Sequence, residues 1–173
     1  MFETSGIIDR NLIMELQEKD MPRLNKITLG LFVILLVLAL RYPFGSHAFT
    51  ISLLCSALPF LVRVSLIRNY IQINLGAIKN LTGGRETLEV GTVFHDDHVI
   101  MSLPDGTNPV VIPYEELHRI LVTPSVYCIS SVSHNGVYVF RNQLSPEEQK
   151  ELFAFLKQKD TKIPENQFPE SFQ

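Results

Sequence analysis

The sequence lacks the short motifs that mark common catalytic and nucleotide-binding sites. Its 173 residues contain no Gly-rich phosphate loop, no Gly-x-Ser-x-Gly elbow and no cysteine paired with a histidine at a catalytic spacing. The two cysteines, Cys55 and Cys128, fall in segments of different character, so we expect free thiols in a reducing compartment. These absences predict that the protein is not an enzyme and that it carries no cofactor.

Charged residues are missing from two stretches of the N-terminal half, Ile27–Leu40 and Ala48–Val62. The runs are 14 and 15 residues long, which is short for a membrane span. The long cationic side chains of Arg41 and Arg63 can extend to lipid headgroups, and this lengthens the predicted spans to residues 24–44 and 48–68. We predict a transmembrane helical hairpin over 24–68, and the alternative is a pair of helices buried in a soluble protein.

Positive charges flank this hairpin unevenly and predict its orientation. Only Arg41 lies in the turn between the spans. The other basic residues of this half lie on the two outer sides: Arg10, Lys19, Arg23, Lys26, Arg63, Arg68, Lys79 and Arg85. Because cytoplasmic segments carry the excess of Lys and Arg, we predict a multi-pass protein of the cell membrane with both termini in the cytoplasm.

Short elements are predicted on both sides of the hairpin. In the cytoplasmic segment 1–23, Asp9 caps a short amphipathic helix, and residues 2–8 have a second interpretation as a strand. Residues 69–84 continue the second span as an amphipathic linking helix, because apolar residues recur three and four apart until Gly83-Gly84 ends the pattern.

From residue 86 the hydrophobic period changes from that of a helix to that of β-strands. Apolar and polar residues alternate in several short runs, and Asn135-Gly136 is a strong hairpin signal. We predict six antiparallel strands that curve around one core.

A final helix is predicted over 145–158. Ser145 caps it, Pro146 lies in its first turn and Glu148 completes a capping box. The polar, proline-containing residues 159–173 are predicted to be a disordered tail.

Two segments of the C-terminal half resemble the YcxB-like family of bacterial membrane proteins. One is Ile112-Pro113-Tyr114 with the acidic pair after it, and the other is the helix start Ser145-Pro146-Glu147-Glu148. The Pro-Lys pair that often precedes the last helix in that family is Arg141-Asn142 here. The resemblance implies an α+β membrane protein, with a transmembrane hairpin followed by a small antiparallel pleckstrin-homology-like β-barrel or sheet over 86–158, closed by the C-terminal α-helix. It implies no particular activity.

The stretch "VFHDDHVIM" places two histidines around two aspartates. If Asp96-Asp97 is a two-residue loop, Phe94 faces Val99 on the apolar side, and His95 faces His98 on the outer side at about 5 Å between Cβ atoms. Zinc sites use three or four protein ligands, and no cysteine lies at a suitable spacing. We therefore interpret the stretch as a turn and assign no catalytic, cofactor-binding or metal-binding residue. A metal-binding sensor or enzyme built on His95 and His98 is the alternative.

The distribution of charge restricts the partners. Residues 1–85 carry a net charge of +4, whereas residues 86–158 carry −6. An acidic domain is not expected to bind nucleic acid, and the acidic loop between its first two strands is unsuited to lipid phosphates. The partner predicted for this domain is a protein, with a basic surface favoured by complementarity.

Small residues recur every fourth position in the second span, at Ala48, Ser52 and Ser56. Such a stripe permits close approach to the first span or to a second copy of the chain, so it is a predicted site of homo-oligomer formation. Together these features predict a membrane-tethered cytoplasmic interaction module with a regulatory or scaffolding role and no catalysis.

Overall fold

The chain has an α+β fold with antiparallel sheets. The structure, a computed structural model, describes residues 2–103, 109–133 and 135–169. Its elements, in chain order, are β1 (Phe2–Ile8), α1 (Arg10–Asp20), α2 (Pro22–Ala39), α3 (His47–Ser56), α4 (Leu58–Thr82), β2 (Leu88–Phe94), β3 (His98–Ser102), β4 (Val110–Pro113), β5 (Leu117–Val122), β6 (Val126–Ser131), β7 (Gly136–Phe140) and α5 (Pro146–Gln158).

The apolar helices differ in their bounds from the predicted spans. α2 ends at Ala39 rather than at residue 44, because Pro43 and the left-handed Gly45, with φ of 83°, form the turn that follows. Ser46 then caps α3 by accepting a hydrogen bond from the Phe49 backbone N–H. Ala57 alone separates α3 from α4, and Pro59 lies in the first turn of α4, a position where proline is tolerated. The predicted second span and linking helix thus form one long helical path.

A four-stranded sheet has the order β1-β2-β3-β4. The Phe2–Ile8 segment pairs with β2 along its whole length, from Phe2 opposite Phe94 to Ile8 opposite Leu88. Of the two interpretations of residues 2–8, the strand is the one found. Thr4 and Ile8 are buried on one face of β1, which is the alternation expected of a half-buried strand.

The second sheet has the order β5-β6-β7, and the two sheets do not close into a barrel within the described ranges. On one side β4 and β5 are joined by the 3-10 turn Tyr114–Glu116 and are not paired. On the other side Gly6 of β1 packs against the Phe140 ring of β7 without a ladder of hydrogen bonds. The barrel prediction is therefore wrong, and two facing antiparallel sheets take its place.

The first hydrophobic core lies between the facing sheets and is covered by α5. Its largest fully buried members include Tyr127, Phe94, Phe153 and Leu152, and the Phe153 ring meets the Tyr127 ring edge-on at 4.7 Å. α5 begins at the predicted place, since the Ser145 hydroxyl and the Glu148 carboxylate form both hydrogen bonds of a capping box.

The segment after α5 contributes to the same core. Ile163 and Phe168 are 7% and 3% exposed. The Lys162 N–H donates to the Leu117 carbonyl at 2.8 Å, and the Ile120 N–H donates to the Gln167 side chain at 3.0 Å. The predicted disordered tail is thus wrong for residues 159–169, because its apolar side chains bury and its polar groups cover the open edge of β5. Residues 170–173 lie outside the described ranges.

A second core joins the helices to the outer face of the second sheet. α1 contributes Leu12, Ile13 and Leu16; α4 contributes Ile71, Leu75 and Ile78; and the strands contribute Val90, Val126, Cys128 and Phe140. β6 is consequently buried on both faces, with Tyr127 and Ile129 in the first core. The predicted domain 86–158 is therefore incomplete without β1, α1, α4 and the C-terminal segment.

Candidate functional site

The β2–β3 hairpin has the register that the sequence predicts. Phe94 is opposite Val99, and the His95 N–H donates to the His98 carbonyl at 2.9 Å, which closes a turn over Asp96-Asp97. Phe94 and Val99 are fully buried, so the apolar face of the hairpin points into the first core.

The two histidine side chains lie together on the outer face of this hairpin. Their rings stack at 4.9 Å between centroids, and His98 Nδ1 is 2.6 Å from the Asp97 carboxylate. Among the residues that the structure describes, no group of three or more His, Cys, Asp or Glu side chains converges in a way that suits a metal ion. The geometry is that of a turn in which one histidine pairs with the neighbouring aspartate.

The tip of the hairpin is held by contacts to distant elements. The Tyr114 hydroxyl donates to the His95 carbonyl at 2.6 Å, and Lys159 Nζ donates to the Asp96 carbonyl at 2.7 Å. Lys159 Nζ also lies 4.4 Å from the centroid of the Phe155 ring. Burial raises the pKa of Tyr114, and the negative charges of Asp96 and Asp97 add to the increase, so this phenol stays neutral and keeps its role as a donor.

Carboxylates collect around this tip. A shallow cavity of about 310 Å³ is lined by Asp96, Asp97, Glu115 and Asp160, together with Pro113, Tyr114 and Lys159. We call the four carboxylates the acidic tip. Lys159 is the one cation among the described residues of the lining, and its donation to the backbone carbonyl of Asp96 turns its ammonium group toward the protein. The acidic tip therefore presents negative charge on a backbone that both sheets and α5 hold in place.

A second surface feature is a belt of exposed apolar side chains on the helices. One helical path, His47–Thr82, is long and apolar enough to cross a membrane, and a second exists if the bent pair α1–α2 counts as one span. Only 6% of the most apolar 18-residue stretch of His47–Thr82 is buried inside the protein. The belt consists of Ile27, Leu29, Leu31, Val33, Ile34, Val37, Leu38, Ile51, Leu53, Leu54, Leu58, Phe60, Leu61, Val62, Val64 and Leu66.

The small residues of the second span do not share one environment. Ser56 is 2% exposed, Ser52 is half-buried and Ala48 is exposed. Ser56 lies at the junction of α3 and α4, and both helices pack on α2. Ser56 is therefore buried within the chain and the Ala48 end remains at the surface, so the role of the stripe in homo-oligomer formation stays a prediction.

The junction between helices and sheets contains a polar pair. Arg119 of β5 donates to the Asp20 carboxylate at the end of α1 at 2.6 Å. Cys128 lies nearby, and burial, aided by the Asp20 charge, raises the pKa of its thiol to about 12. A thiol of this kind is neutral and unreactive at physiological pH.

No family model, curated protein or solved structure matches the chain. The alternation of apolar and polar residues predicts the hairpin tip from the sequence. It does not predict that Glu115 and Asp160 join the tip, because these residues are distant from it along the chain and belong to no shared period.

Proposed function

We propose that this chain is a membrane-anchored protein of the YcxB-like type, with α2 and the α3–α4 path as a transmembrane hairpin. The apolar belt carries the proposal. Soluble monomers rarely expose contiguous apolar patches beyond a few hundred Å², and the belt extends over α2, α3 and the first part of α4. Burial in hydrocarbon gives these side chains the environment that the rest of the chain does not provide.

The charges around the hairpin support the proposed orientation. No Asp or Glu occurs between Asp20 and Glu86, whereas Lys and Arg are concentrated on the outer sides of the helices. Both termini are then cytoplasmic, and the pleckstrin-homology-like sheets lie in the cytoplasm. Carbonate extraction of native membranes and paired reporters at Gly45 and at the C-terminus test this. Release by carbonate, or a cytoplasmic signal from Gly45, would contradict it.

The function proposed for the cytoplasmic part is docking of a protein partner with a basic surface, in a regulatory or scaffolding role without catalysis. The acidic tip is the surface proposed for this contact. Its backbone is fixed by Tyr114 and Lys159, so little ordering of the backbone is needed on binding. Its carboxylates attract a basic segment over about a Debye length and raise the rate of association.

The test is photo-crosslinking from position 97 in native membranes, followed by identification of the captured protein. Asp96→Lys combined with Asp97→Lys should abolish capture, measured with the photoreactive group moved to position 115. The matched control is Glu147→Lys with Glu151→Lys, which reverses two exposed carboxylates on α5. Equal capture by both double variants would reject the acidic tip as the docking surface.

A metal-binding sensor is the second candidate function. The observation that favours it is the stacked pair His95 and His98 with Asp97 beside it. Purified protein should then contain stoichiometric zinc that is lost in His95→Ala with His98→Ala. Zinc that is absent from the unaltered protein, or that the double variant retains, would reject this candidate.

A further inference from the structure

A cleft lies where α1 meets the middle of α4. Its volume is about 490 Å³, and its lining combines two arginines with apolar side chains and one amide: Arg10, Arg68, Val64, Ile67, Ile71 and Gln72. From Val64 to Gln72 the cleft extends roughly 12 Å along the axis of α4. This length accommodates a phosphodiester group and the beginning of an acyl chain.

The two arginines of the cleft have unused donors. Neither forms a hydrogen bond or ion pair within residues 2–103, 109–133 and 135–169. Arg10 acts through space on Glu86, but the Glu86 carboxylate is bound to Lys79 at 2.8 Å, and that contact is the main reason for its lowered pKa. Among the residues that the structure describes, no acidic side chain lines the cleft. The cleft is thus a positively charged recess without an internal counter-ion.

The cleft lies at the border between two environments along α4. Before it, Leu58, Leu61 and Val62 belong to the exposed apolar belt. After it, Leu75 and Ile78 are buried against the cytoplasmic part. If the hairpin spans the membrane as proposed above, the arginines lie at the depth of the headgroups of the cytoplasmic leaflet.

We propose that this cleft binds an anionic phospholipid from the cytoplasmic leaflet, with its phosphate on Arg10 and Arg68 and an acyl chain along Val64 and Ile67. This inference rests on the proposed membrane anchoring. A guanidinium group matches two phosphate oxygens at once, and two such groups suit a headgroup that has no cation of its own. A zwitterionic headgroup would bring its own cation close to the two arginines, which is unfavourable. Free phosphate lacks the acyl chain that Val64 and Ile67 would contact.

The full chain in detergent micelles is titrated with phosphatidylglycerol and with phosphatidylcholine, and bound lipid is counted by native mass spectrometry. We expect a clear preference for phosphatidylglycerol. Arg10→Gln with Arg68→Gln removes both positive charges but keeps polar side chains, and it should weaken phosphatidylglycerol binding roughly tenfold. Lys19→Gln with Lys26→Gln removes two exposed charges from the same side and should change it little. Arg10→Lys with Arg68→Lys should give an intermediate affinity, because the charge remains but the paired donors do not.

Several results would overturn the lipid site. These are equal affinity for the two lipids, an equal loss in the two glutamine pairs, or full displacement by millimolar inorganic phosphate. Thermal unfolding of each variant confirms that it is folded, which is expected because both arginines are exposed. Carbonate extraction of native membranes tests the membrane anchoring separately from the lipid site. A chain that resists extraction but shows no lipid preference rejects only the lipid site, whereas an extracted chain rejects the membrane anchoring itself.

Discussion

Gly6 shows how one residue sets the distance between the two sheets. A Cβ atom at this position would overlap the Phe140 ring. Phe140 is 6% exposed and belongs to the second core, so its ring has little room to move. The absence of a side chain at Gly6 therefore allows β1 and β7 to approach.

Gly6→Ala should lower the free energy of unfolding by about 1–3 kcal/mol through this overlap. Gly91→Ala is the matched control, since Gly91 lies in the partner strand β2 and its Cβ would meet nothing closer than the Ser102 carbonyl at 3.9 Å. We expect that change to stay within about 0.5 kcal/mol. Denaturant unfolding in detergent measures both changes in the free energy of unfolding. Equal changes would show that the contact between Gly6 and the Phe140 ring has room for a methyl group.

Cys128 should make the protein sensitive to alkali. Its thiol has a pKa raised to about 12 by burial, against 9.0 for a free thiol, so above about pH 9 the folded state retains a proton that the unfolded state loses. Stability contributed in this way is complete below pH 9 and decreases as the pH rises, by about 1 kcal/mol between pH 9 and pH 10. Cys128→Ala should remove this part of the decrease in stability with rising pH. Val126→Ala, on the same face of β6, should lower stability at every pH and leave its dependence on pH unchanged.

Among the elements, the sequence predicted those that are marked by a pattern of a few neighbouring residues. The β2–β3 hairpin register follows from alternation around Asp96-Asp97, and the start of α5 follows from Ser145 and Glu148. The segment after α5 could not be predicted in this way. Ile163 and Phe168 are five residues apart among polar neighbours and prolines, a spacing that fits neither a helix nor a strand. Their burial depends on a core assembled from the rest of the chain.

The C-terminal segment should therefore contribute to stability. A chain that ends at Thr161 loses Ile163, Phe168 and the Gln167 side chain that accepts from Ile120, and we expect it to be less stable by about 3 kcal/mol or more. A chain that ends at Pro169 keeps all of these and serves as the control. Thermal unfolding compares the two. Equal melting temperatures would mean that the segment is a disordered tail after all.

The contact between the apolar helices depends on a small residue at one point. Ser56→Leu adds volume at a buried position at the end of α3, and it should lower the melting temperature in detergent by several degrees through overpacking. Ser65→Leu makes the same chemical change at an exposed position of α4 and should leave the melting temperature nearly unchanged. A lowered melting temperature in both variants, or in neither, would contradict the close packing at Ser56.

For the whole molecule, the sequence predicted a membrane part and a separate domain over 86–158, but the structure divides the chain differently. α1 and the second half of α4 form a core with the outer face of the second sheet, and β1 completes the first sheet. The apolar residues of α1 and α4 indicate amphipathic helices, but a single helix pattern does not identify the surface on which the helix packs. The unit that folds is therefore discontinuous, and the apolar hairpin is an insertion in it.

The ends of this insertion are close together. Asp20 ends α1, α1 packs against α4, and Tyr70 of α4 packs against the same second core as Leu16 of α1. A short Gly/Ser linker from Asp20 to Tyr70 should thus replace residues 21–69 without disturbing the second core.

The linked protein, residues 2–20 joined to 70–169, should be soluble, monomeric and cooperatively folded, because it keeps β1, both cores and the C-terminal segment. The fragment 86–158 should aggregate, since it exposes the edge of β2 and the apolar face that carries Val126, Cys128 and Phe140. Size-exclusion chromatography and thermal unfolding distinguish the two. Cooperative unfolding of the short fragment would show that α1 and α4 only rest on a finished domain, and aggregation of the linked protein would show that the hairpin itself is needed for folding.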